Sequence, residues 1–222
     1  MTDSLITRLG QLDTCCVSDA CDQLGLPPAV TGIAPQSARR RIAGRVVTVT
    51  LAAGTPPSGS SRHLCTSAIE RAGAGDVVVV EQRTGIDAAG WGGILSNAAA
   101  MRGLSGVIVD GPARDIDEAA ELEFPVYSRS RTCRTARGRI YETASGAPVT
   151  IGDSQVNEGD YVLADGSGVV FVPADRIDAV LDAADRINAR EAAMTVAVRA
   201  GEPVSQVMGA SYEQMLTKGA AA

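Results

Sequence analysis

The sequence predicts an α/β fold, and three observations carry the prediction. Runs rich in Val, Ile and Thr alternate with helix-like segments between residues 41 and 127, aromatic residues make up only 3% of the chain, and a long segment with one apolar face closes it. β-branched runs pack well in sheets. A core this poor in rings must be filled by Val, Ile, Leu and Ala, which suits helices layered on a sheet. The chain has 222 residues, 45% hydrophobic and 21% charged, the makeup of an ordinary globular protein, and reads as one domain over 1–222.

Taken in order, the start MTDSLITRLG is amphipathic, with neither a basic opening nor an apolar signal core. No apolar run reaches the roughly 18 to 20 residues that cross a bilayer, so a cytoplasmic protein is expected. Residues 12–26 (LDTCCVSDACDQLGL) carry apolar positions at helical spacing and stop at Gly25 and Pro27. Residues 41–51 (RIAGRVVTVTL) read as a strand, 54–61 (GTPPSGSS) as a surface loop, 63–72 as a helix and 76–81 (DVVVVE) as a second strand. A small-residue helix over 92–102, a buried strand over 106–110 (GVIVD) and a short acidic helix over 115–122 follow, leading to Pro125-Val126-Tyr127. Beyond these, 148–151, 161–164 and 169–172 are short strands joined by Gly, Asp and Asn turns, which suggests an antiparallel or mixed layer. After Pro173, the residues Ile177, Val180, Leu181, Ala184 and Ile187 share one helical face, and the helix runs to about residue 200, where Gly201 and Pro203 end it. No internal repeat is present.

Several function classes drop out. A net charge of −6, with no basic cluster beyond Arg39-Arg40-Arg41, argues against a nucleic-acid ligand. The five cysteines form no CxxC pair and their odd number suggests no disulfide framework, so they read as small buried residues. The lone histidine, His63, cannot build a histidine metal site, and the role of Arg62-His63 stays open. Without a GxSxG elbow or a Ser/His/Asp set, nucleophilic hydrolysis is set aside.

Two segments remain as candidates. Gly90-Trp91-Gly92-Gly93 precedes a helix whose unpaired N–H groups can bind a carboxylate or phosphate, although the same glycines would serve tight helix–sheet packing. Asp110-Gly111-Pro112-Ala113-Arg114-Asp115 follows a buried strand, at the edge where open α/β sheets bind ligands. An Arg fork grips a carboxylate through two hydrogen bonds, and a neighbouring Asp suits a hard cation such as Mg²⁺. Alternatively, Asp115 caps the next helix and Arg114 is its surface partner.

The run GWGGILSNAAAMRGLSGVIVDGPARDIDE over 90–118 resembles the 4-hydroxy-4-methyl-2-oxoglutarate aldolase family, which includes the regulator-of-ribonuclease-activity proteins and chains labelled demethylmenaquinone methyltransferase-like. The likeness extends to Val17-Ser18-Asp19-Ala20, Gly25-Leu26, Gly75-Asp76-Val77, Gly159-Asp160 and Asp165-Gly166-Ser167-Gly168-Val169, and so covers most of the chain. The resemblance implies a compact layered α/β/β/α fold with a mixed sheet and a long C-terminal helix, assembled as a homotrimer or homohexamer with sites near subunit interfaces. It implies an Mg²⁺ or Mn²⁺ ion held by Asp115 and a small 2-oxo acid contacted by Arg114. The substrate carboxylate would sit on the backbone of Gly92, Gly93, Ile94 and Leu95. Chelation of the 2-oxo acid would let the electrons released by C–C cleavage collect as a pyruvate enolate, a sink that serves retro-aldol cleavage and β-decarboxylation alike. Glu191 of a neighbouring subunit is the candidate for holding a water that acts as base.

One departure stands out: many of the family's aldolases carry an acidic residue where this chain has Gly93. Oxaloacetate decarboxylation, which needs no hydroxyl deprotonation, therefore stands beside the aldol reaction. The competing class is a non-enzymatic regulator, against which the retained Arg114-Asp115 pair argues. A methyltransferase is disfavoured because no glycine-rich loop with a following acidic ribose-binding residue is found.

Overall fold

Asp3 and Asp13 start the first two helices by accepting hydrogen bonds from the N–H groups of Leu5 and Cys16, giving α1 (Ser4–Gln11) and α2 (Thr14–Leu24). Gly25 ends α2 in the left-handed conformation at φ 66°, as the Gly-Pro signal anticipates. The computed structural model describes residues 3–57 and 62–209, so the loop expected over 54–61 lies partly outside the described residues. After the short β1 (Ala34–Pro35) comes β2 (Ile42–Ala53), the longest strand. The next helix, α3 (Thr66–Arg71), begins three residues later than its pattern suggests, because Cys65 adopts φ 64° and holds His63 and Leu64 outside it.

Alternation then proceeds through β3 (Val77–Glu81), α4 (Gly93–Met101), β4 (Gly106–Ala113), α5 (Ile116–Glu121) and β5 (Val126–Arg131). Strand β4 outruns its apolar pattern because Pro112 and Ala113 still pair with Ser130 and Arg131 beyond a register shift. The second half supplies β6 (Ile140–Ser145), the β7 (Val149–Ile151) and β8 (Ser154–Val156) hairpin, and the β9 (Tyr161–Ala164) and β10 (Val169–Val172) hairpin. A 3₁₀ turn at Ala174–Arg176 leads into α6 (Ile177–Arg199), followed by α7 (Val204–Val207).

Strands β2, β3, β4 and β5 are parallel neighbours joined by α3, α4 and α5. The other edge of β2 is shared: Ile42–Arg45 pair antiparallel with β9, and Val49–Ala53 pair antiparallel with β6. One strand serving two partners curls the sheet, and the inside of the curl is filled by Val46, Val79, Ile108, Tyr127, Val162 and their neighbours. Helices α3 to α5 cover one outer face, while α1, α2 and α6 cover β9 and β10 on the other. The result is a mixed α/β fold with a curled sheet and a long C-terminal helix. Within α6 the predicted face, Ile177, Val180, Leu181, Ala184 and Ile187, is buried.

Two expectations need correction. Cys16, Cys21 and Cys65 are buried, but Cys15 and Cys133 are exposed, because they fall on the solvent side of α2 and in a surface loop. Strand β6 is absent from the pattern-based reading, since IYETAS alternates polar residues on a half-covered edge. Among the described residues no helix is long and apolar enough to cross a membrane.

Candidate active site

The end of β4 and the start of α4 meet through the backbone. Arg114 N–H donates to the Trp91 carbonyl at 3.0 Å and Gly90 N–H donates to the Pro112 carbonyl at 2.9 Å, so the glycine-rich turn and the Arg-Asp pair are stitched side by side. Trp91 anchors the turn, stacking on Phe124 with ring centroids 6.3 Å apart and donating its indole N–H to Ser96 Oγ at 2.9 Å.

Asp115 has φ 56° and ψ 41°, and its carboxylate makes no cap on its own helix α5. The carboxylate turns instead to α4, where Oδ2 accepts the Gly93 N–H at 2.9 Å and lies 3.3 Å from Arg114 Nε. Of the two readings of Asp115, side-chain capping of α5 is thus overturned. A left-handed aspartate costs on the order of 1 to 3 kcal/mol of backbone strain, and such strain gathers where a side chain must be aimed. Cys65, the other left-handed residue bordering this region, likewise sets His63 and Leu64 against the pocket.

A cavity of about 150 Å³ opens here, lined by Gly92, Gly93, Ile94, Leu95, Arg114 and Asp115 among others. Helix α4 cannot pair the N–H groups of Ile94 and Leu95 itself, so this end of its dipole can receive an anion. The glycines answer to packing as well: a Cβ on Gly92 would lie 3.0 Å from Asp115 Oδ2, and one on Gly93 would overlap the Glu118 carboxylate. The packing reading of the glycine turn therefore holds.

Glu118 is the residue the sequence reasoning passed over, as one of the charges of the acidic helix over 115–122. Its Oε1 accepts Asn97 Nδ2–H at 2.7 Å, and its Oε2 occupies the space that a residue-93 side chain would fill. The signal was the Gly93 departure itself, but nothing in one sequence says which side chain enters the vacated space. Asp110, grouped with Arg114 in the sequence, belongs elsewhere. It is buried, pairs with Arg129 Nε at 2.5 Å and accepts Gly152 N–H at 2.8 Å, a structural tie behind the site. Glu191 lines a separate cleft near the end of α6 and accepts the Cys16 thiol at 3.3 Å, so within one chain it does not join Arg114 and Asp115.

The pocket's electrostatics are mixed. Partial burial pushes the His63 imidazole below its usual pKa, and the Arg137 and Arg114 charges push the same way, while Glu142 opposes them. Among the described residues no three His, Cys, Asp or Glu side chains gather tightly enough to enclose a metal ion. Asp115 and Glu118 lining one pocket instead make a donor set that fits a cation such as Mg²⁺, which keeps most of its waters and takes one or two carboxylates.

Residues 14–171 match the family model described as RraA-like, Aldolase/RraA. The chain is similar to Protein DlpA of Legionella pneumophila, 26% identical over 208 residues that make up 92% of this chain and 34% of that protein; the chain spans about a third of that relative's length. It is 28% identical over 197 residues to a Halalkalibacterium halodurans protein named "Putative 4-hydroxy-4-methyl-2-oxoglutarate aldolase", covering 87% of this chain and 88% of the other. Among solved structures, an uncharacterized protein from Pseudomonas syringae pv. tomato superposes with a TM-score of 0.82 at 30% identity, covering 93% of this chain and 97% of that one.

Proposed function

Since this chain belongs to the RraA-like family, Aldolase/RraA, we propose that it is a divalent-metal-dependent carbon–carbon lyase that releases pyruvate from a small 2-oxo acid. The observation that carries the reading is the turn of the Asp115 carboxylate away from its own helix to the N-terminus of α4, beside Arg114 and inside a pocket. A side-chain cap on α5 would instead keep the carboxylate at its own helix.

In this reading Asp115 would hold Mg²⁺ or Mn²⁺, with the Glu118 carboxylate lining the same pocket. The ion, when bound, polarises the 2-oxo group as a Lewis acid. Arg114 pairs with the substrate's anionic oxygens and stabilises the negative charge that develops when the C3–C4 bond breaks. The N–H groups of Ile94 and Leu95 hold the C1 carboxylate in line with the dipole of α4. Retro-aldol cleavage also requires the C4 hydroxyl to lose a proton, and we assign its acceptance to Glu118 or to a water it holds; β-decarboxylation needs no such step. In the retro-aldol case the proton taken up by Glu118 or its water returns to C3 of the pyruvate enolate, and in β-decarboxylation solvent water supplies it. Trp91 and Leu95 wall the pocket with apolar surface, which strengthens these charge interactions.

The test is pyruvate release from 4-hydroxy-4-methyl-2-oxoglutarate and from oxaloacetate, each with Mg²⁺, Mn²⁺ or excess chelator, read by coupled lactate dehydrogenase. Chelator-sensitive release from either is expected. Inactivity on both, in protein shown to bind the ion, would leave the regulator-type reading in its place.

A further inference from the structure

The proposed chemistry uses only the Arg114 end of the pocket. At the other end the cavity shares His63, Leu64, Ala136 and Arg137 with a second cavity of about 440 Å³, which is also lined by Arg62 and Glu142. The charges there are unbalanced. The guanidinium groups of Arg62 and Arg137 make no hydrogen bond or ion pair with the described residues, whereas nearby Arg134 reaches Asp87 at 3.6 Å. Glu142 is the one carboxylate lining the second cavity, and it is already engaged: Oε2 accepts the Cys65 N–H at 2.6 Å and Oε1 accepts the Ser67 hydroxyl at 3.1 Å. It fixes the start of α3, and its single negative charge does not offset two arginines.

His63 lines the first cavity together with Arg137 and Arg114, and burial and then both arginine charges disfavour its charged form. An imidazole kept neutral beside guanidinium groups offers one N–H donor next to fixed positive charge. That combination binds a carboxylate, with the arginine supplying charge and a planar fork and the imidazole a directed hydrogen bond.

We propose that Arg137 and His63 form a second anion subsite, which takes the distal carboxylate of a 2-oxo diacid whose C1 end lies at Arg114 and the α4 N-terminus. The inference rests on the reading of the Arg114 end as a 2-oxo acid site and adds the feature that selects among such acids. Arg62 lies further out and contributes field rather than contact. A 2-oxo monoacid of equal length leaves Arg137 unpaired and gains only the first site.

The test uses a matched pair that undergoes no cleavage: 2-oxoglutarate, and 2-oxopentanoate, which has a methyl group in place of the distal carboxylate. Affinities are measured by calorimetry with Mg²⁺ present. His63 is the only histidine in the chain, so its imidazole proton resonances report the subsite without assignment. One charge-assisted contact corresponds to roughly tenfold or more in affinity. The diacid is expected to bind tighter by that factor and to raise the His63 pKa, while the monoacid leaves it in place. Arg137→Gln should abolish the discrimination while keeping the 2-oxopentanoate affinity, which also shows the variant is folded, and Arg137→Lys should restore part of it. Equal affinities in the wild type, discrimination that survives Arg137→Gln, or failure of both acids to bind would overturn the proposal. Pyruvate release without discrimination would leave the lyase reading standing and remove this one, and discrimination without turnover would do the reverse.

Discussion

At the scale of single residues, the site depends on where two carboxylates point. Asp115 at φ 56° sends its side chain to Gly93 N–H, and Glu118 fills the space over Gly93 while held by Asn97. Asp115→Ala should lower pyruvate-forming turnover by ~100-fold or more, the scale seen when a charge-stabilising group is lost, with thermal stability retained; full activity would end the metal assignment. Arg114→Lys should fail almost as badly, because an ammonium cannot reproduce the bidentate fork. Gly93→Ala is more discriminating. The added Cβ meets only the flexible end of Glu118, so the fold adjusts at little cost, yet the carboxylate is driven out of place. We expect turnover to fall about 10-fold or more, as for displaced groups around a metal, with a melting temperature within a few degrees of the parent. A Gly93→Ala protein with parental kinetics would show that Glu118 takes no part in catalysis.

At the scale of elements, two junctions fix the frame that aims these residues. Gly44 in β2 passes so close to the Gly75 backbone carbonyl that a Cβ would overlap it, and backbone cannot yield as a side chain can. Gly44→Ala should therefore cost about 2 kcal/mol or more, a drop of roughly 4 to 8 °C in melting temperature for a domain of this size; an unchanged melting curve would contradict the packing. Asp165 joins the β9–β10 turn to α2 by accepting the Thr14 N–H at 3.0 Å and the Thr14 hydroxyl at 2.6 Å. Burial raises its pKa, but the bonds from Thr14 and Ser167 and the Arg41 charge outweigh burial and leave it below the usual aspartate value. The folded-state value being lower, the tie adds stability above the ordinary aspartate range and loses it as pH falls through the depressed value. Asp165→Asn should flatten the acid limb of the stability–pH curve, measured by urea unfolding from neutral pH down to about 3. These junctions also mark what the sequence revealed. Strands β2 to β4 and helices α2, α4 and α6 were legible because their apolar periods are strong and their ends carry Gly and Pro. Strands β6 and β8, half covered and polar, were not. The site was legible as the Arg-Asp pair and the glycine turn, but Glu118 and Arg137 were not, because only the fold brings residues 93 and 118, or 63 and 137, to one wall.

At the scale of the whole molecule, one surface asks for a neighbour. Ile94 and Met101 lie seven residues apart on α4, hence on one face, and are 83% and 90% exposed. Ile94 also borders the active pocket, so a copy of the chain covering this face would cover the pocket mouth as well. A trimer or hexamer, as the resemblance implies, would cover the pocket mouth if it used this face, and would give Glu191, remote within its own chain, a route to a neighbouring site. Sedimentation equilibrium should show the parent as a trimer or its double, and Ile94→Lys with Met101→Glu should release monomers of reduced kcat/KM. Shared sites make a sharper demand. Asp115→Ala and Glu191→Gln proteins, each impaired alone, should regain part of the parental activity when unfolded together and reassembled, because some mixed interfaces then carry intact residues from both chains. If the mixture recovers nothing beyond the sum of its parts while the assembly forms normally, Glu191 has no part in a neighbour's site and each chain works with Arg114, Asp115 and Glu118 alone.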